Sequence, residues 1–187
     1  MYPETEKNSG SGGFIRIAVL SDTHGLLRRE VVAEIQDCSC ILHAGDIIRE
    51  SDLDELRLCG SVYAVRGNND RWLDGLGSLA GILRFSIAGV SFLMTHDPWD
   101  VPRNLGGVQV VVCGHTHRYR EETIDGRLWL NPGSCGQARF GGDVTMAKLL
   151  LQDGKILSVQ RIDFRYSRHR AAAASLRRAA GRRAARR

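Results

Sequence analysis

The rhythm of apolar and polar positions along the chain changes near residue 80. Residues 14–20 are mostly β-branched or aliphatic and stop at Ser21-Asp22, which predicts a buried strand. Leu27, Val31 and Ile35 then recur at helical spacing, which predicts a helix over 26–36. Residues 41–44 predict a second strand ending at Gly45-Asp46, residues 52–58 a helix stopped by Gly60, and residues 62–65 a third strand ending at Gly67-Asn68. Strands that alternate with helices in this way run parallel and gather ligands at their carboxyl ends.

Hairpins take over beyond that point. Ile82–Ile87 and Val90–Thr95 flank Ala88-Gly89, residues 121–124 and 127–130 flank Asp125-Gly126, and residues 144–151 and Lys155–Asp163 flank Asp153-Gly154. Residues 108–113 form one more β-branched strand. Parallel units followed by hairpins predict two sheets packed face to face with helices outside, and there is no internal repeat of 20 to 50 residues.

Composition narrows this picture. At 187 residues with 43% apolar content the chain suits one domain with a substantial core, expected over residues 14–163. Residues 1–13 are Gly/Ser-rich and read as a disordered segment. The sequence contains no apolar stretch near 18 residues, and its polar start has no signal-like core, so a soluble protein without a transmembrane segment is expected. Five cysteines without framework spacing suit the reducing cytoplasm. Cys38 and Cys40 read as packing residues in preference to half of a metal site, which more often shows C-x-x-C spacing. The net charge of +5 conceals a division: residues 164–187 hold nine arginines and no acid, so removing this +9 leaves the rest at −4.

Candidate chemistry sits where the strands end. Asp22-Thr23-His24, Gly45-Asp46, Gly67-Asn68-Asn69-Asp70, Thr95-His96 and Gly114-His115-Thr116-His117 supply seven oxygen and nitrogen donors: Asp22, His24, Asp46, Asn68, His96, His115 and His117. Carboxylates, imidazoles and a neutral amide suit Mn²⁺, Fe²⁺, Zn²⁺, Ni²⁺ or Co²⁺ better than Mg²⁺ or Ca²⁺, and no thiolate of a structural zinc site is among them. Seven donors exceed one tetrahedral ion and suit two ions sharing a carboxylate. The bland alternative for any single cluster is turn or cap use, since loops favour Asp and Asn.

The ordered series D-x-H, G-D, G-N-x-D, T-H, G-H-x-H resembles the calcineurin-like metallophosphoesterases from Ile15 to Asp163. Asn131-Pro132-Gly133-Ser134, with Gly136-Gln137, is similar to the small bacterial and archaeal phosphodiesterase branch that also includes the retromer scaffold subunit. The resemblance implies a four-layer αββα sandwich of two mixed sheets, within the α/β (α+β) class. It implies that Asp22, His24 and His117 hold one ion, Asn68, His96 and His115 the other, and that Asp46 bridges them. The implied cofactors are two divalent ions, with Mn²⁺ favoured. The implied reaction is in-line attack by a hydroxide bridging ions roughly 3.5–4 Å apart, with Asp46, Asn68 and His96 acting through it.

Two positions depart from the family. Asn69 stands where larger relatives carry a histidine that protonates the leaving oxygen, and an amide cannot do so, which implies substrates with good leaving groups or another proton source such as water or a nearby residue. Asp97-Pro98-Trp99 follows His96 where relatives usually have glycine. Around the ligands, His43 reads as a support of the metal shell or a buried histidine, Asp70 as a support or a loop cap, and Asn131 as an orienter of the G-H-x-H loop or a turn. Arg66, Arg118 and Arg139 read as surface residues that also suit phosphate, and Trp72 and Trp99 as packing under loops or a stacking wall.

The function expected is hydrolysis of a phosphodiester, or a phosphomonoester, of a small metabolite or nucleotide. The alternatives are a nuclease tethered to a polyanion by the basic tail 165–187, and a non-catalytic protein-binding scaffold of the same fold, which would be expected to have lost ligands. A homo-oligomer is compatible with all of them.

Overall fold

The computed structural model describes residues 13–138 and 143–164. The expectations for the N-terminal segment and the basic tail, together with Arg139, lie outside these residues, apart from their inner ends at Gly13 and Phe164.

Among the described residues, ten strands form two five-stranded sheets. The first sheet contains β1 (Ile15–Leu20), β2 (Cys40–His43), β3 (Ser61–Ala64), β9 (Thr145–Gln152) and β10 (Lys155–Asp163), in the order β10-β9-β1-β2-β3. The second contains β4 (Ile82–Ile87), β5 (Val90–Thr95), β6 (Val110–Val112), β7 (Tyr119–Ile124) and β8 (Arg127–Pro132), in the order β4-β5-β6-β8-β7. In the second sheet the parallel pairs lie inside and antiparallel hairpins flank them; in the first the parallel strands β1, β2 and β3 run to one edge and the antiparallel β9 and β10 lie on the other side. Both sheets are therefore mixed, as expected.

The period of two along each strand builds the layers. Ile17, Val19, Cys40, Leu42 and Leu149 point from the first sheet to meet Phe92, Met94, Val110, Val112 and Leu130 of the second. Tyr63, Phe85 and Phe92 stack across this interface, with ring centroids 4.5 and 5.2 Å apart. The alternate residues Ala18, Leu20, Ile41 and Met146 face outward against Val31 and Ile35 of α1 (Arg29–Ile35) and Leu56 of α2 (Glu50–Cys59). Each such fully buried aliphatic side chain stabilises the fold by about 1.5–3 kcal/mol. Phe164 joins this cluster and donates its N–H to Val144 O, so the packed unit reaches one residue past 163.

Two details differ from the sequence expectation. Both α-helices cover the first sheet; over the second, the outer layer is the loop after β5, whose Val101, Leu105 and Val108 pack on Leu93, Val111 and Cys113. This loop opens with a single 3₁₀ turn, Pro98–Asp100, capped by the Asp97 carboxylate, which accepts from Trp99 N at 2.9 Å. α1 begins at Arg29 instead of 26, because His24 and Gly25 have φ of 48° and 71° and Arg28 is extended, its Nε donating to Gly136 O at 2.6 Å. Cys38 and Cys40 belong to different apolar clusters on opposite sides of the first sheet, and burial pushes both thiols up to about 11, in accord with packing. No helix of the described residues is long and apolar enough to cross a membrane.

Candidate metal centre

All seven predicted donors come together where the parallel strands of both sheets end. Asp22 and His24 follow β1, Asp46 follows β2, Asn68 follows β3, His96 follows β5, and His115 and His117 follow β6. Main-chain hydrogen bonds knit neighbouring loops within each sheet: Asp22 N to Gly45 O (3.0 Å), His24 N to Asp46 O (2.9 Å) and Gly114 N to His96 O (2.8 Å). The motif glycines allow the approach. A Cβ at Gly67 would stand 2.1 Å from Asp46 Oδ1, and one at Gly114 only 1.9 Å from Ser21 Oγ.

The backbone itself is unusual here. Asp22, His24, Asp46, His115 and His117 all have φ between 48° and 67°, a region that non-glycine residues seldom occupy. Such conformations cost of order 1–3 kcal/mol each and persist where the surroundings over-determine them. Nothing in the one-dimensional pattern signals this, because every motif residue is compatible with ordinary loop geometry.

Distances sort the side chains into two groups. His117 Nε2 lies 3.2 Å from Asp22 Oδ1 and 3.3 Å from His24 Nε2, with His24 Nε2 and Asp22 Oδ1 at 3.7 Å. On the other side, Asn68 Oδ1 lies 3.2 Å from His96 Nε2 and 3.1 Å from His115 Nδ1. Asp46 Oδ2 stands between the groups, 3.8 Å from His24 Nε2 and 3.4 Å from His96 Nε2. Donors bonded at about 2.1 Å to one ion, at right to tetrahedral angles, stand about 3.0–3.4 Å apart, so the shorter separations are those of a shared ligand sphere. Asp22, His24 and His117 could thus hold one ion, and Asp22, Asp46 and His96 also place donors within 4.8 Å of one another. Asp22 Oδ1 is buried without a hydrogen-bond donor, which fits an atom reserved for a cation.

The carboxylates are pulled in opposite directions. Burial pushes Asp22 up to about 6, against the His96 charge and the Ser21 hydroxyl that donates to its Oδ2 at 2.7 Å. Burial opposes ionisation of Asp46 too, but the hydrogen bond and charge of His96 and two donors from Asn69 hold it well below the usual carboxylate range. Burial pulls His96 down, yet its hydrogen bond to Asp46 and the charges of Asp22 and Asp46 outweigh this and raise it. Paired groups with such divergent environments mark functional sites more often than plain structural ones.

Asn69 is exposed, yet its side chain turns onto Asp46. Its Nδ2 donates to Asp46 Oδ2 at 2.6 Å and its main-chain N–H to Asp46 Oδ1 at 2.9 Å. The amide at the family's histidine position therefore braces the central carboxylate. Asp70 is fully buried and accepts from the N–H groups of Ile47 (2.9 Å), Ile48 (2.8 Å) and Gly67 (2.8 Å), tying the Asp46 loop to the Asn68 loop. Asn131 Nδ2 donates to Gly114 O at 2.6 Å and Thr116 Oγ1 at 3.1 Å, while its Oδ1 accepts from Gly133 N, so it fixes the loop that carries His115 and His117. His43 meets Thr23 Oγ1 at 3.2 Å, and burial pulls its pKa down to about 4, so it is a neutral prop of the Asp22 loop.

Other contacts were missed or misread in sequence. The Ser21 contact on Asp22 has no signal in sequence, whereas Asp97, visible there only as part of the departure after His96, places its Oδ2 3.9 Å from His115 Nε2. Packing was the default for Trp72 and Trp99, but they are 88% and 92% exposed. Arg118 lies on an open face with Tyr119 and Arg120, whereas Arg66 lies in a cleft that reaches Asn68 and His96.

Fold and site together define a phosphoesterase: the chain belongs to the calcineurin-like phosphoesterase superfamily, whose domain it matches over residues 15–154. A probable metallophosphoesterase of Methanothermobacter thermautotrophicus is 33% identical over 159 residues, covering 77% of this chain and 90% of that protein. A phosphodiesterase of Methanocaldococcus jannaschii is 26% identical over 140 residues, covering 65% of this chain and 84% of that protein. Vacuolar protein sorting 29 from Cryptosporidium parvum shares the fold, with a TM-score of 0.64 at 19% identity over 81% of this chain and 98% of that one.

Proposed function

We propose that residues 14–163 form a phosphodiesterase domain that hydrolyses esters of a small metabolite or nucleotide with the aid of two divalent ions, Mn²⁺ foremost. In this reading Asp22, His24 and His117 hold one ion, Asn68, His96 and His115 hold the other, and Asp46 serves both. The observation that carries it is the position of Asp46 Oδ2 between two imidazole nitrogens, at 3.8 and 3.4 Å, each of which has its own further donors at about ligand spacing. When bound, such a pair of ions lowers the pKa of water and neutralises charge on the phosphoryl oxygens.

The chain's own residues do the rest. Asp70 and Asn131 hold the ligand loops in register, and Ser21 and Asn69 orient the Asp22 and Asp46 carboxylates by direct hydrogen bonds. Asn69 has no proton to give at neutral pH and is engaged on Asp46, which favours substrates whose leaving oxygen needs no protonation. A diester with an acidic leaving group meets this condition.

Hydrolysis of bis(p-nitrophenyl) phosphate and p-nitrophenyl phosphate by the Mn²⁺-reconstituted protein tests the reading. Faster turnover of the diester is expected. No turnover of either compound would overturn it.

A further inference from the structure

A cleft of about 290 Å³ opens beside the centre, and its charges are arranged in a way the proposed reaction does not use. Asn68 and His96 line it together with Arg66 and Arg71, and with the carboxylates of Asp97 and Asp100. Arg57, Arg120 and Arg161 elsewhere in the molecule each pair with a carboxylate. Arg66 and Arg71 form no ion pair among the described residues, although two carboxylates share their cleft.

Arg66 is held rather than loose. Its main-chain N–H donates to Ala80 O at 3.0 Å and its Nη1 to Leu79 O at 2.5 Å, which pins the guanidinium against residues 79–81. A Cβ at Gly81 would lie in van der Waals contact with Nη2, at 3.5 Å, so the glycine leaves that side of the group uncovered. The remaining donors of the fork stay available. Asp97 competes little for them, because its Oδ1 accepts from Trp99 N and its Oδ2 faces His115 Nε2 at 3.9 Å. The exposed Arg71 guanidinium has no hydrogen-bond or ion-pair partner among the described residues, so a second fork meets the same space. Planar guanidinium donors match the oxygens of phosphate and carboxylate, and two of them beside an anion-processing centre extend its anion-binding track.

We propose that this cleft is a subsite for a second anionic group on the substrate, so that the enzyme prefers phosphodiesters bearing a further phosphate beyond the scissile one. The subsite rests on the phosphoesterase reading of the adjacent centre. Trp72 follows Arg71 and Trp99 precedes Asp100, both nearly fully exposed, which makes a nucleoside a suitable carrier for the probe.

Two chromogenic esters separate the subsite from the chemistry. Thymidine 5′-(p-nitrophenyl phosphate) and its 3′-phosphorylated counterpart share the scissile diester and the leaving group and differ only in the second anion. With the Mn²⁺-loaded full chain, kcat/KM is expected to be about tenfold higher for the 3′-phosphorylated ester, mainly through KM. Arg71→Ala and Arg66→Lys, the latter keeping the charge but losing the fork, should each bring that ratio below about threefold while metal stoichiometry stays at the wild-type value. Equal kcat/KM for both esters in the wild type, or a preference untouched by both substitutions, would overturn the subsite. If neither ester is hydrolysed, the phosphoesterase reading fails first and the subsite with it.

Discussion

Replacing Asp70 by alanine should unfasten the centre from its scaffold. The Asp70 carboxylate is fully buried and accepts three main-chain N–H groups at 2.8–2.9 Å, from Ile47, Ile48 and Gly67. Hydrogen bonds to a charged group contribute about 1.5–3 kcal/mol each, but the carboxylate's own desolvation offsets part of that, and the three bonds, two to Oδ1 and one to Oδ2, share one carboxylate and do not add. The loss also strands three donors, and it releases Ile48, a β-branched residue held at φ 73°. Water entering the vacated space recovers some of this. Together these terms give a destabilisation of about 3–5 kcal/mol for Asp70→Ala. Asp70→Asn keeps one acceptor and turns a donor toward a donor, for about 1–3 kcal/mol. Urea denaturation of the metal-free proteins, followed by circular dichroism, would show the order wild type, Asp70→Asn, Asp70→Ala. A loss under about 1 kcal/mol for Asp70→Ala would refute the idea that this carboxylate holds the two ligand loops together.

Further outcomes follow from the same geometry. The folded-state pKa of Asp22 is raised to about 6, so its contribution to stability is fully present below its ordinary value near 3.8 and is lost as pH rises through 6, a change of roughly 3 kcal/mol. His96 is also raised, so its contribution is present below 6.5 and lost as pH climbs past its folded value, whereas that of Asp46, which is depressed, is lost only in strong acid. His43, whose pKa burial pulls down to about 4, works the other way and loses its contribution as pH falls below 6.5, so these terms largely offset in the metal-free protein between pH 5 and pH 8. Added Mn²⁺ should raise the melting temperature more at pH 8 than at pH 5, because bound metal needs Asp22 ionised and His96 neutral; parallel profiles with and without metal would contradict this. Asn69→Ala, which removes the 2.6 Å side-chain bond to Asp46 but keeps the main-chain one, should weaken Mn²⁺ binding about tenfold or more, measured by chelator competition. Asn69→His should improve turnover of diesters with poor leaving groups relative to nitrophenyl esters, and an unchanged ratio would remove the missing proton donor from the account.

Much of this was legible in sequence because the donors are local. Each strand ends in a short motif that names its own donor type, and alternating apolar residues fix which strands are buried, so the convergence of Asp22, Asp46 and Asn68 could be anticipated from residue order and a parallel sheet, while that of His96, His115 and His117 onto them was implied by the family resemblance. What escaped depends on contacts between distant segments. Arg28 reaches Gly136 and thereby delays α1, and Asn69 turns onto Asp46 rather than toward a substrate. The second sheet is covered by loop residues Val101 and Leu105, whose spacing has no helical period to betray them. The left-handed backbone at five of the donors is likewise a property of the assembled loops, and the two solvent-facing tryptophans defeat a rule that large aromatics pack.

The central claim is that two ions, divided between two donor groups with Asp46 between them, are needed for phosphodiester hydrolysis. Titrating metal-free protein with Mn²⁺ while counting bound metal by mass spectrometry and recording bis(p-nitrophenyl) phosphate hydrolysis tests it directly. The account predicts saturation at two ions per chain, with activity rising as the second is bound, and one ion with activity reduced at least a hundredfold in His117→Ala. Full activity at one ion per chain, or an undiminished His117→Ala, would contradict it.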